Sequence, residues 1–118
     1  MNDAVQPESN HIDVDTLNML KDVMEDGFTT LLETYIDDSK IRIDDLSKAL
    51  AAGDADGVRR AAHSLKGSSG NLGANQMAAL CLTVETKGKE EKLDGLASEL
   101  EKIQLEYQVV ADIMRSML

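Results

Sequence analysis

The stretch Val58–Gln76, VRRAAHSLKGSSGNLGANQ, holds the residues best suited to chemistry in this chain. At helical spacing His63 shares a face with Arg59, Arg60, Lys66, Gly67 and Gly70, away from Val58, Ala62, Leu65 and Leu72. That places its imidazole toward solvent or a partner. An exposed histidine by itself is ordinary surface, so its neighbours must supply any case for function. Gly67 stands one turn after His63, followed by Gly70 and Gly73. Inside a helix each glycine costs about 1 kcal/mol relative to alanine, a cost that close helix packing or access to the imidazole can offset. Gly73 escapes that cost because it serves as a stop.

Charge sharpens the contrast. The segment Gly57–Val84 contains no Asp or Glu, although the chain has 22 acids against 12 Lys and Arg. A nucleophilic imidazole with space before it and cations beside it can take a phosphoryl group. The product carries close to two negative charges, which Lys66 would stabilise and neighbouring carboxylates would oppose. Such transfer depends on in-line approach and charge neutralisation. No acid cluster near His63 could hold Mg2+, so the metal and the second nucleophile are expected from a partner.

The elements that position this stretch follow from periodicity. Residues 1–14 are polar, contain the only proline and lack a helical period; they are expected to form a flexible tail, with His11 solvated in it. Asp15 can cap a short helix carrying Leu17, Leu20 and Met24, which Gly27 ends. A long helix from Phe28 to Ala52 presents Phe28, Leu31, Leu32, Tyr35, Ile36, Ile43, Leu46 and Leu50. Gly53 closes it, and Asp54 caps a third helix, Ala55–Leu72, whose inner face is Val58, Ala61, Ala62, Leu65, Ser69 and Leu72. Asn75 is expected to cap a fourth, reaching about Lys87, with Met77, Leu80, Cys81 and Val84 inward and Gly88 in the following turn. In the last helix Leu93, Leu96, Leu100, Ile103, Tyr107, Val110, Met114 and Met117 step by threes and fours. The expected fold is all-α: an antiparallel four-helix bundle over residues 15–118, with a short additional N-terminal helix.

Composition excludes several classes. A net charge of −10 opposes general binding to nucleic acid or anionic membrane. No apolar run is long enough to span a bilayer, and the N-terminus does not resemble a signal peptide. A single cysteine, Cys81, fits a reducing cytoplasm. KGSSGNLG lacks the order and the preceding strand of a phosphate-binding loop, and no ligand set for a metal stands near His63.

The run Ala62–Ala74, AHSLKGSSGNLGA, resembles the signature of histidine phosphotransfer (HPt) proteins, the relay modules of multistep two-component signalling. The match includes Ala62, the His-x-x-Lys-Gly core of His63, Lys66 and Gly67, and Asn71–Ala74. Flanking positions fit too: Ala49–Leu50, Gly53–Asp54, Leu80, Cys81, Glu85 and Glu106–Tyr107. The resemblance spans about residues 15–118. It implies that His63 is phosphorylated, on Nε2, that Lys66 supports the phosphoryl group and that Gly67 leaves the approach open. It implies as partners the receiver domains of hybrid sensor kinases and response regulators, each bringing an aspartate and Mg2+. The chain is then a phosphocarrier rather than an enzyme, with no cofactor of its own. Arg59, Arg60, Ser64, Gly70, Asn71 and Gln76 are candidates for docking, as is Ile41, an apolar residue off the inner stripe of the second helix. The chain begins with Met and contains no kinase ATP-binding domain, so a free-standing, monomeric, cytoplasmic carrier is expected. The competing function is a bundle that binds and sequesters receivers or kinases without accepting phosphate.

Overall fold

The computed structural model describes residues 11–118, and periodic apolar residues and well-placed helix stops divide Val14–Arg115 into five helices. They are α1 (Val14–Met24), α2 (Gly27–Ala51), α3 (Ala55–Asn71), α4 (Asn75–Lys89) and α5 (Leu96–Arg115). No strand occurs among the described residues. α2 packs against α3 and α5, and α4 packs against the same two, which closes these four helices into a ring; α1 lies against α2.

The ring is held by the faces that periodicity marks out. Leu32 and Leu46 on α2, Val58 and Leu65 on α3, Met77 and Val84 on α4, and Leu96, Ile103, Val110 and Met114 on α5 are all buried. Burying one such side chain contributes about 1.5–3 kcal/mol. Both tyrosines act as polar pegs within this core. Tyr107 donates from its hydroxyl to the Ile36 carbonyl at 2.9 Å, joining α5 to α2. The hydroxyls of Tyr35 and Ser69 pair at 2.6 Å, joining α2 to α3. Burial raises the Tyr35 phenol above its ordinary value, so it stays neutral and hydrogen-bonded.

The turns correct several expectations. Asp13, not Asp15, caps α1, accepting from the backbone N–H groups of Asp15 and Thr16 at 3.1 and 3.4 Å. An N-cap side chain satisfies orphan donors from the residue preceding the helix, which puts the capping acid two residues earlier. Gly27 begins α2 rather than ending α1, which stops at Glu25. Asn75 is the first residue of α4 and supplies no cap; Ala74 precedes it. Asp54 does cap α3, accepting from Gly57 N–H at 3.0 Å.

Residues 11–14, expected in the tail, are held by the fold. Residues 1–10 lie outside the described residues, but Ile12 is fully buried and Asp13 N–H donates to the Gly73 carbonyl at 2.8 Å. Gly73 has φ +78, and a Cβ there would meet Asp13 Cβ at 3.1 Å. Thus the start of α1 is seated on the turn between α3 and α4. His11 is not solvated: its Nδ1 lies 2.8 Å from both carboxylate oxygens of Glu106. The chain anchors here by burying Ile12 and satisfying a carboxylate on α5, neither of which has a local periodic signal.

Gly88 departs furthest from expectation. It lies inside α4 and is buried. A Cβ at this position would meet the α3 backbone, at 3.0 Å from Arg59 N and 3.1 Å from Ala55 O. Instead of making a turn, Gly88 lets the two helix backbones touch.

Candidate functional site

α3 carries His63 outward because its opposite face, Val58, Ala61, Ala62, Leu65 and Ser69, fills the core. The ring side chain is 64% exposed. Gly67 and Gly70 are exposed, and a Cβ built at either meets nothing within 4 Å. The helical glycine cost at these positions is therefore not offset by packing within the chain; what it leaves is open space one turn beyond the imidazole.

The expectation of a carboxylate-free surround fails at one residue. Glu85 of α4 brings Oε2 to 2.8 Å from His63 Nδ1. The acid-free segment ends at Val84, and the close crossing of α3 and α4 delivers the next residue to the ring. This carboxylate is neutralised, because Lys66 Nζ lies 2.7 Å from Oε1 as an ion pair. Burial opposes ionisation of Glu85, but the Lys66 ammonium and the His63 N–H outweigh it and hold the carboxyl below the usual carboxylate range. Ionised Glu85 can only accept, so Nδ1 must carry the hydrogen. In the neutral ring this leaves the free lone pair on Nε2, the nitrogen away from Glu85. Beneath the pair, burial pushes the Cys81 thiol up to about 12, with Glu85 adding to the shift, so Cys81 is an inert core residue.

The docking candidates divide between sides of the molecule. Arg59 and Arg60 flank His63 on α3, but both engage Asp56, at 2.9 and 3.0 Å. Ser64 is exposed and borders a groove between α2 and α3 that Arg42, Lys48 and Arg60 also line. Asn71 is exposed at the end of α3. Gln76 instead donates from its amide to Glu106 Oε1 at 3.2 Å, joining the His11 cluster rather than His63. Ile41 is exposed, but it borders a groove between α2 and α5 with Gln104, Tyr107 and Gln108. Ile41 therefore lies on the α2–α5 side of the molecule, while Gln76, in the first turn of α4, turns its amide to Glu106. Glu85 fits the family resemblance as a flanking position, but its contact with His63 was not expected; the signal available was its position three turns into a helix that must pack on α3.

Among the described residues no three His, Cys, Asp or Glu side chains are grouped to hold a metal ion, and no helix is long and apolar enough to cross a membrane.

Comparison with known proteins bears on this geometry. The family model of the Hpt domain matches residues 30–113. Histidine-containing phosphotransfer protein B of Pseudomonas aeruginosa PAO1 is 36% identical, with TM-score 0.88, over 91% of this chain and 93% of that one. The HPT domain of the Hpt sensor hybrid histidine kinase from Shewanella shares the fold, with TM-score 0.77 at 18% identity over 93% of this chain and 95% of that one. No curated protein matches the chain significantly. An all-helical chain with an outward histidine, matched over most of its length by that family, belongs to the Hpt domain family, and its role is histidine phosphotransfer in a phosphorelay.

Proposed function

We propose that Nε2 of His63 is the atom that carries the phosphoryl group. The observation that carries this assignment is the orientation of the ring, exposed on one side and held through Nδ1 on the other. The donor is the phosphoaspartate of a sensor kinase's receiver domain, and the acceptor is the aspartate of a response regulator's receiver. Nε2 attacks phosphorus in line as the acyl phosphate oxygen leaves. Lys66, one turn along, follows the incoming charge from Glu85 to the phosphoryl oxygens. Gly67 and Gly70 leave room for the rim of the receiver's active site. Mg2+ arrives bound to the receiver, and the chain itself acts as a phosphocarrier.

Arg59, Arg60, Ser64 and Asn71 frame the docking face around His63. The wider architecture is an antiparallel four-helix bundle with α1 as the additional N-terminal helix. Three-residue turns between packed neighbours, Ala52–Asp54 and Leu72–Ala74, support reversal of direction at each. The carrier acts in the cytoplasm as a monomer, its α5 seam being used within the bundle.

The test is phosphoryl transfer from a labelled receiver in the presence of Mg2+. The chain should take an acid-labile, alkali-stable label, and the folded His63→Gln variant should take none. Label on that variant would move the acceptor elsewhere.

A further inference from the structure

We propose that Glu85 keeps the Nδ1 proton on His63 throughout the phosphoryl cycle, so that the ring departs from phosphorus as neutral imidazole and never as imidazolate. The inference rests on the assignment of Nε2 as the phosphorylated atom and adds to it a role for the opposite edge of the ring.

The argument is one of proton accounting. In the free chain Nδ1–H donates to Glu85 Oε2 at 2.8 Å. When Nε2 attacks phosphoaspartate, its lone pair forms the N–P bond, the acyl P–O bond breaks, and the receiver's aspartate leaves as carboxylate. No proton is released, so the ring becomes a phosphoimidazolium cation that still holds its Nδ1 hydrogen. The contact with Glu85, already charge-assisted through its ionised acceptor, then gains charge on the donor as well and becomes an ion pair. On forward transfer a receiver carboxylate oxygen attacks phosphorus, the P–N bond breaks, and the electron pair returns to Nε2. The leaving group is neutral only if Nδ1 has kept its proton. A phosphorylated ring that loses this proton to water must instead expel an imidazolate, a far more basic and poorer leaving group.

Few other charges compete for the ring. Glu85 from α4 is the one carboxylate in ion-pair contact with it among the described residues. Lys66 on α3 is a cation nearby, but it lies on the other oxygen of the same carboxylate, at 2.7 Å. Arg59 and Arg60, on the same helix, are occupied by Asp56. Cys81, beneath Glu85 on α4, remains an uncharged thiol well above neutral pH. Glu85 is thus a positioning residue that acts through His63 and touches no phosphoryl oxygen.

The experiment measures forward transfer from the phosphorylated chain to one Mg2+-loaded receiver between about pH 6 and about pH 9, for the parent chain and for Glu85→Gln. Glutamine keeps the shape and still accepts from Nδ1–H, but it lacks the charge. Using the same receiver for both makes its own titration common to the two profiles. The variant is expected to be about threefold slower near pH 6 and about thirtyfold slower near pH 9, its alkaline fall displaced down by about one pH unit, a tenfold change in proton affinity. A variant that is slowed by one constant factor across the range, or not slowed, overturns the proposal. A second measurement, the 15N–1H signal of the phosphorylated ring, does not depend on transfer. Its Nδ1–H should persist to higher pH in the parent than in Glu85→Gln, and equal loss in both overturns the proposal. The label on His63→Gln separates the two levels: label retained there removes the assignment of His63, whereas label lost there with parallel pH profiles removes only the role of Glu85.

Discussion

Two histidine–glutamate pairs of the same length, 2.8 Å through Nδ1, sit in this molecule and serve different ends. At His63 the ring is 64% exposed and its carboxylate is shared with Lys66. At His11 the ring is 22% exposed and engages both oxygens of a Glu106 that is 4% exposed, with Gln76 as a third partner. The first pair leaves one ring nitrogen available and places glycines beside it. The second seats the beginning of α1 against α4 and α5. A short contact between imidazole and carboxylate is thus no mark of chemistry on its own; the access left to the other nitrogen and the cation on the carboxylate decide it.

The comparison breaks most sharply by exchanging the two losses. His63→Gln should abolish phosphoryl uptake and shift unfolding free energy by about 0.5 kcal/mol or less, as exposed substitutions do. His11→Gln should keep uptake. Labelling and thermal denaturation of both variants check this, and loss of label in His11→Gln would dissolve the distinction. Glu106→Ala removes the acceptor of two side chains and opens a cavity, and should cost about 2–3 kcal/mol. Urea denaturation measures it, with transfer retained in the folded fraction.

Gly67→Ala sharpens the same contrast from the access side. The new methyl meets nothing in the chain, so the helix should gain about 0.5–1 kcal/mol while transfer slows about tenfold. Gly70→Ala should give a similar gain in stability. The smallest effect is on acid stability. Glu85 has its carboxyl lowered in the folded chain, so it binds protons more readily when unfolded. Its contribution is present above the unfolded value, about 4.3, and is lost as pH falls through the folded value below that. The stability difference between the parent and Glu85→Gln should therefore shrink as pH is lowered from about 5 toward about 3.

The α3 face was legible from local pattern alone. One helical period separates Val58, Ala62 and Leu65 from His63, and the structure buries the first three and exposes the last. The apolar stripes of α2 and α5 were equally plain, although Leu31, Leu50, Leu93, Leu100 and Met117 are only partly buried. Family membership followed from the run around His63. What stayed hidden depends on contacts between distant segments. Glu85 is 22 residues from His63, and His11 is 95 residues from Glu106. Neither distance leaves a periodic trace, and a polar N-terminal stretch looks the same whether or not its Ile12 finds a pocket. Ile41 shows a related limit: its exposure can be read from a helical wheel, but the groove between α2 and α5 that it borders cannot.

Gly88 carries a further consequence. It stands three residues past Glu85, where α3 and α4 touch backbone to backbone, with no room for a methyl between them. Alanine there forces the helices apart by a few tenths of an ångström, and a 2.8 Å contact one turn away has little slack to absorb the shift. A residue without a side chain, and without any contact to the imidazole, thereby calibrates the reach of a carboxylate on the next turn. Selection on the chemistry of His63 would then act on a hydrogen atom at position 88, where a survey of polar groups would find nothing to record.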